Sequence, residues 1–225
     1  DTGTKSPPTE PVPSDATPHP GEQIAIGPCS QHAVRARSST GVTRAAYGEG
    51  VNRPEWAEAN DLMRDYYDNE WGFPITDAAG VFERLVLEGF QSGLSWATVL
   101  RKRPAFRAAF AGFDPARVAA FGDEDVARLM ADAGIIRNEQ KIRAAITNAK
   151  ATLALAAEGG DLGELLWSFR PDDPSAPSAG YPSQSPESVA LSKELKRRGF
   201  TFVGPVTIYA AMEAMGVIEH RLPDE

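Results

Sequence analysis

The chain has little cysteine and no long apolar run. Cys29 is the only cysteine among 225 residues, which excludes an internal disulfide framework and favours a reducing compartment. No apolar stretch approaches the roughly 20 residues that a membrane-spanning helix needs. The short apolar patch at residues 24–26 lacks the basic flank of a signal peptide. These absences predict a cytoplasmic protein with no membrane partner.

An excess of basic residues is also missing. The formal net charge is −8, which argues against a partner bound mainly through a broad basic face. The cations cluster locally, at residues 101–107, 137–143 and 193–198, and such clusters can still contact phosphate. Each cluster is equally compatible with a solvated helix face, so charge alone leaves the partner open.

The first fifty residues lack a periodic apolar pattern. Residues 1–50 are rich in Pro, Ser, Thr and Gly, so they cannot bury enough surface to offset the entropy of ordering, and we predict a disordered tail. Residues 51–225 form the predicted domain. Segments of helical period occur there at about 55–67, from 78 onward, and at 104–113, 114–121, 123–133, 138–158, 162–169, 187–198 and 206–215, with a polar loop at 171–187. No segment alternates like a strand, so the predicted fold is all-α.

One carboxylate lies on the apolar face of a predicted helix. At ~100° per residue, a continuous helix would place Glu88 on the same side as four other residues. They are Val81, Leu85, Ser92 and Val99. That side is predicted to be buried, so Glu88 needs a partner, which is either an ion pair with a neighbouring helix or a ligand.

Aromatic residues close to Glu88 in sequence favour a ligand. Trp96 follows it, and Tyr66 and Trp71 precede it. Aromatic faces attract cations, and a buried carboxylate accepts hydrogen bonds from them. A flat cationic ligand with N–H donors, such as a flipped alkylated purine, would satisfy both features. The structural ion pair among ordinary core aromatics remains open at this point.

A second motif predicts two helices joined by a tight turn. Gly134 is expected to end the first helix in the left-handed position, the turn passes through Ile136, and the next helix begins near Asn138. The unpaired amides at that start suit a phosphate, and Arg137 and Lys141 add positive charge. This pattern predicts a helix–hairpin–helix that binds DNA backbone without reading sequence. A plain helical hairpin with a glycine cap is the alternative.

Four motifs together resemble the DNA-3-methyladenine glycosylase I family of base-excision repair. They are YYDNEWG (66–72), LEGFQSGLSW (87–96), DAGIIRN (132–138) and KRRGFTFVGPVTIY (196–209). They occur in the family's order, and the resemblance extends from about Arg53 to His220. It implies an all-helical helix–hairpin–helix glycosylase that needs no cofactor and hydrolyses the N-glycosidic bond of 3-methyladenine in double-stranded DNA.

The resemblance also assigns residues to roles. It implies that Glu88 is the catalytic and base-binding carboxylate and that Trp96 stacks on the base. Tyr66 and Trp71 match further pocket positions, and Met63 stands where some relatives carry an aromatic residue. The residues matched to DNA contacts are Gln91 and Leu94, at the gap left by the flipped nucleotide, and Gly134, Ile136, Arg137 and Lys141 in the hairpin.

The mechanism follows from the chemistry of the lesion. Methylation at N3 leaves a positive charge on the base, so the glycosidic bond is already weak. We expect extrusion and differential binding to supply the catalysis, with a monomeric enzyme, no protonation of the leaving group and no covalent lysine intermediate. Two alternatives stay open: a glycosylase with a shifted alkylpurine preference, and a non-catalytic protein that binds damaged DNA.

The zinc site of many family members is not matched. Their ligands are an early Cys, the His before DNEWG, and a His and a Cys near the C-terminus. Here Pro54 and Tyr67 stand at the first two positions, His220 lies near the third, and no cysteine follows. One ligand cannot make a tetrahedral site. We predict no structural zinc, with Tyr67 and Trp56 filling the space.

Overall fold

The computed structural model describes residues 51–174 and 182–221, so the predicted tail at 1–50 lies outside the described residues. The described part contains nine α-helices and no β-strand, which confirms the all-α fold. The helices are α1 (Asp61–Asn69), α2 (Ala78–Gln91), α3 (Trp96–Ala109), α4 (Pro115–Ala119), α5 (Asp123–Ala131), α6 (Glu139–Ala157), α7 (Leu162–Trp167), α8 (Pro186–Arg197) and α9 (Pro205–Ala214). None of these helices is both long and apolar enough to cross a membrane.

Side-chain caps set the start of the helices that build the site. Asp77 accepts a hydrogen bond from the amide of Gly80 at the start of α2, and Asn138 accepts one at the start of α6. Both starts were predicted, and such a cap stabilises a helix by about 1 kcal/mol. The predicted helix at 55–67 is interrupted, because Asn60 is extended and caps α1 instead. A short 3₁₀ turn, Ala57–Ala59, precedes α1.

α2 is the central helix of the fold. It lies against α3, α6, α7 and α9, and Val81 and Leu85 on its apolar face are fully buried. Phe90 at its end packs on Phe106 of α3, with ring centroids 4.7 Å apart. This packing fixes the helix that carries the buried carboxylate.

The helix that carries Glu88 ends earlier than the sequence period suggested. α2 stops at Gln91, and α3 begins at Trp96. Gly93 lies between them with φ +82°, a left-handed conformation that glycine adopts without steric cost. The expectation of one continuous helical face through Ser92 and Val99 is therefore wrong. The break turns the chain so that Trp96 starts a second helix beside Glu88.

Two other sequence predictions differ in detail. Residues 104–113 do not start a helix of their own, because α3 runs through Pro104 to Ala109. Gly134 is not left-handed, since α5 ends at Ala131 and the Asp132 carboxylate accepts a hydrogen bond from the Gly134 amide. A Cβ on Gly134 would lie 3.0 Å from Cβ of Ala105. The glycine is needed there for close approach to α3 and not for a left-handed cap.

Candidate active site

A cavity of about 430 Å³ opens between α1, α2, the start of α3 and the end of α9. This volume suits a small ligand. Its walls include all five residues predicted to bind the base, which are Met63, Tyr66, Trp71, Glu88 and Trp96. Segments that are separate in sequence thus meet at one place.

Glu88 is buried in the wall of this cavity, with 6% of its surface exposed. Burial raises the pKa of its carboxyl to about 7, against a smaller opposing effect of Arg84. The nearest cationic atom is Nη1 of Arg84, 3.9 Å from Oε1 of Glu88. That separation is at the outer limit of an ion pair. The carboxylate therefore remains available to a ligand in the cavity.

Arg84 is a site residue that sequence reasoning missed. Its side chain is 5% exposed, and its guanidinium lies 5.3 Å from the ring centroid of Tyr66 and 5.2 Å from that of Trp96. Nη1 of Arg84 also donates a hydrogen bond of 2.5 Å to the Tyr66 hydroxyl. The available signal was its position one helical turn before Glu88, on a helix face whose other residues are mostly apolar.

The aromatic walls hold each other in place. The rings of Tyr66 and Trp96 lie 5.5 Å apart and are tilted by 44°. Trp71 packs edge-on against Trp56 at 5.3 Å. Burial raises the pKa of the Tyr66 phenol, so this group stays neutral over the physiological range. The walls thus present fixed aromatic surfaces around one carboxylate.

A second carboxylate reaches the same cavity from α9. Glu213 lines it, and Oε1 of Glu213 is hydrogen-bonded to Nδ1 of the buried His220. Burial and the charge of Glu88 raise the pKa of Glu213 to about 8. No motif in the sequence pointed to Glu213, because it is more than a hundred residues from the five residues predicted to bind the base.

Around Tyr67, which stands at one of the family's zinc-ligand positions, an arginine near the end of the described chain connects the neighbouring segments. Arg221 donates hydrogen bonds to the carbonyl of Tyr67 and, at 2.8 Å, to that of Trp71. Its guanidinium lies over the rings of Tyr67 and Phe73, 4.6 and 4.5 Å from their centroids. We call this arrangement the Arg221 clamp.

These residues do not fit a zinc ion. Pro54 offers no side-chain ligand, Tyr67 is packed against Trp56 at 5.5 Å, and His220 is bonded to Glu213. Within 51–174 and 182–221, no group of three or more His, Cys, Asp or Glu side chains could hold a metal. The absence of a structural zinc stays a prediction.

The predicted DNA-contacting loop lies at the rim of the cavity. Nε2 of Gln91 donates a hydrogen bond to the Leu94 carbonyl at 2.9 Å, and Gln91 also lines the cavity. Leu94 is 39% exposed, directly after the left-handed Gly93. An exposed apolar side chain beside the cavity mouth is suited to enter the gap in a base stack.

In the hairpin, Arg137 is exposed, and Gly134 and Ile136 are half-buried. The Lys141 side chain does not point freely to solvent, as a phosphate contact would require. The Lys141 ammonium donates to the carbonyls of Phe90 and Ser92, at 3.0 and 2.7 Å. These carbonyls end α2, where a cation is favoured by the helix dipole. Burial lowers the Lys141 pKa. Its charge is therefore used inside the protein, unlike the free phosphate contact that was expected.

Comparisons with known proteins cover all nine helices. Residues 56–224 match the family model for methyladenine glycosylase. DNA-3-methyladenine glycosylase 1 of Escherichia coli (strain K12) is 46% identical over 176 residues, which is 76% of this chain and 94% of the relative. DNA-3-methyladenine glycosylase of Haemophilus influenzae is 41% identical over 178 residues, which is 77% of this chain and 96% of the relative.

Solved structures are similar over the same region. A crystal structure of 3-methyladenine DNA glycosylase I has a TM-score of 0.72 at 45% identity, over 75% of this chain and 95% of that one. The Staphylococcus aureus structure that describes 3-methyladenine recognition has a TM-score of 0.69 at 32% identity, over 73% of this chain and 89% of that one.

Proposed function

The chain belongs to the methyladenine glycosylase family, and from this premise we propose how its cavity recognises the damaged base. The protein is a DNA glycosylase that excises 3-methyladenine from alkylated DNA by hydrolysing the N-glycosidic bond. The residue roles that follow are our proposal. The observation that carries it is the buried Glu88 in a cavity walled by Tyr66, Trp71 and Trp96.

Glu88 is the base-binding carboxylate in this proposal. N3-methylated adenine in DNA is flat, positively charged and rich in N–H donors on its exocyclic amine. The carboxylate accepts a hydrogen bond from that edge and attracts the charge, while the ring of Trp96 or Tyr66 faces the cationic base. Neutral adenine receives much less from both groups. Met63 fills the remaining wall, where its flexible side chain adapts to the base.

Hydrolysis then needs little acid catalysis. When the bond between N9 and C1′ breaks, its electron pair goes to the base, which becomes neutral. Water adds to C1′ and loses a proton. The protein contributes by holding the nucleotide out of the stack and by binding the charged form in a largely desolvated site. Glu88 is the only group to which we assign a catalytic role, and that role is electrostatic.

The hairpin and the rim loop bind the DNA. The amides at the start of α6 and the exposed Arg137 face the phosphate backbone, with Gly134 and Ile136 shaping the turn before them. Leu94 enters the gap left by the flipped nucleotide, and Gln91 lies beside it at the cavity mouth. We assign Lys141 to the support of this loop, because its ammonium already donates to two carbonyls.

The hydrogen bonds of Lys141 also favour simple hydrolysis over a reaction through a covalent lysine intermediate. A lysine that forms a covalent intermediate needs a free amine, whereas the Lys141 ammonium is held by the end of α2. We propose a monofunctional glycosylase without strand cleavage. We also propose that it acts as a cytoplasmic monomer, since one nucleotide fills one cavity and the single cysteine fits a reducing compartment.

The test is base release from DNA treated with a methylating agent, resolved by chromatography. Parent, Glu88→Gln and Glu164→Gln are compared, because Glu164 is an exposed carboxylate outside the cavity. We expect 3-methyladenine from the parent and from Glu164→Gln, with at least a tenfold loss in Glu88→Gln, about the scale of one charge-assisted hydrogen bond. Release of mainly another alkylpurine would indicate a shifted preference. DNA binding without any release would indicate a non-catalytic protein.

A further inference from the structure

Two carboxylates from different helices, the buried Glu88 and the half-buried Glu213, face one cavity. Glu88 comes from α2 and Glu213 from α9, and they are close enough for the charge of Glu88 to raise the pKa of Glu213. Keeping two like charges together in a desolvated site is unfavourable unless a cation binds there. The cavity therefore holds more acidic groups than a neutral ligand would require.

The arginine beside Glu88 changes the charge balance of the cavity wall. Arg84 lies 3.9 Å from Glu88 and is itself buried, so this pair carries no net negative charge even when Glu88 is ionised. A cationic base that approached Glu88 alone would also meet the positive charge of Arg84. The Glu88–Arg84 pair by itself is therefore a poor site for a cation, although it offers a hydrogen-bond acceptor.

Other acidic groups near the cavity are paired or neutral. Glu70, the residue that follows α1, accepts a hydrogen bond of 2.6 Å from Arg103 of α3, and Tyr66 is neutral because burial raises its pKa. Burial lowers the pKa of His220, which favours its neutral form. Of the two acidic residues described in the cavity wall, Glu88 lies within 4 Å of an arginine and Glu213 does not, so a cation bound in the cavity would favour the ionised form of Glu213.

We propose that Glu213 is a specificity-determining residue, a second base-facing carboxylate that supplies the net negative charge which the Glu88–Arg84 pair lacks. This inference rests on the proposed base-binding role of the cavity. Glu213 acts on the positive charge of the N3-methylated base, whereas Glu88 and the aromatic rings also respond to its shape and its N–H donors. Different side chains thus recognise the charge of the base and its shape.

The location of Glu213 agrees with a role toward a ligand. Besides the base cavity, it borders a second cavity of about 280 Å³ with Trp56, Trp71 and His220. Its carboxyl is thus not enclosed in the helical core, and its hydrogen bond to Nδ1 of His220 leaves the second oxygen for other partners. A purely structural Glu213–His220 pair is the competing explanation, and the experiment separates the two.

The experiment compares a charged and an uncharged form of the same base. Single-turnover excision of 3-methyladenine, measured below saturating enzyme, reports on the capture of the cationic nucleotide. Binding to a duplex that carries the isostere with carbon in place of N3 reports on the same shape without the charge. Glu213→Gln should slow excision at least about tenfold, the scale of one partly desolvated charge pair. Its Kd for the isostere duplex should stay within about twofold of the parent, because shape recognition is retained.

Glu164→Gln is the control for loss of one distant negative charge, and it should match the parent in both measurements. Arg84→Met provides the complementary variant, because it removes the opposing cation while keeping a long apolar side chain. In the Glu213→Gln background it should recover part of the lost excision rate.

The outcomes separate this inference from the proposed function. Parent-like excision by Glu213→Gln overturns the inference while the base pocket stands. An equal loss of excision and of isostere binding overturns it too, since it would indicate a structural role. If Arg84→Met recovers no excision rate in the Glu213→Gln background, Glu213 does not act through its charge, and the inference is overturned. Failure of the parent to release 3-methyladenine would overturn the proposed function and the inference with it.

Discussion

Arg84 and Glu88 lie one turn apart on α2, with Nη1 of the arginine 3.9 Å from Oε1 of the glutamate. The two groups are both buried, yet the arginine makes its close hydrogen bond to Tyr66. The carboxylate is thus desolvated without being fully compensated inside the protein. Its burial has a cost in the free protein, and this cost should be visible in the dependence of stability on pH.

Glu88→Gln should change that pH dependence. The Glu88 pKa is about 7 in the folded protein against an ordinary value of 4.5, so the folded state binds more protons between these values and stability falls as pH rises through them. A shift of this size corresponds to about 3 kcal/mol. Relative to the parent, the free energy of unfolding of Glu88→Gln should therefore increase by up to that amount between pH 4 and pH 8.

Chemical denaturation at several pH values measures this difference. Glu164→Gln should follow the parent, because its carboxylate is exposed. Parallel curves for the parent and Glu88→Gln would contradict the expectation. Glu213 has a pKa of about 8 and should keep part of the same fall in both proteins, so the comparison depends on the difference between curves and not on either curve alone.

Substitutions of Arg137 and of Lys141 should have different effects, although both residues are cations of the same hairpin. Arg137→Gln should weaken binding to undamaged duplex DNA and reduce the slope of log K against log salt by about 0.9, the value for one phosphate contact. Lys141→Gln should keep the slope and lower the thermal stability, because its ammonium caps the end of α2. DNA-binding titrations at four salt concentrations measure the slope, and a thermal melting curve measures the stability of each variant. The opposite pattern would return Lys141 to the phosphate contacts.

The Arg221 clamp should stabilise the fold without a metal. Arg221→Gln removes a charged donor from two carbonyls and should lower the free energy of unfolding by about 1–3 kcal/mol. Arg221→Lys should restore only part of this, since an ammonium cannot stack on Tyr67 and Phe73 as a planar guanidinium does. A chelator should leave the melting temperature of the parent unchanged. A melting temperature that falls with chelator would show that a metal contributes to stability.

Local signals account for what the sequence could predict. Asp77 and Asn138 are capping residues next to periodic apolar segments, so the starts of α2 and α6 could be located from a few neighbouring positions. The buried position of Glu88 followed from the same periodicity. Four motifs in a fixed order then identified the family, and the five residues assigned to the pocket do line one cavity.

Contacts between distant segments account for what could not be predicted. The role of Gly134 depends on the approach of Ala105, and the partners of Lys141 are about fifty residues away along the chain. Glu213 joins the pocket only because α9 packs against α2. Arg84 was hidden by the assumption that a face with several apolar residues is apolar throughout. Apart from that of Arg84, none of these relations has a signature within one helix.

The hydrogen bonds between Lys141 and the end of α2 connect the hairpin to the loop at the rim of the cavity. They join the helix that follows the hairpin to the loop that carries Leu94, and Lys102 holds the hairpin turn through the carbonyls of Ala133 and Gly134. In the proposed mode of binding, the phosphate contact and the intruding leucine therefore belong to one rigid unit. In that mode of binding, the position of the phosphate contact would fix which nucleotide lies opposite Leu94.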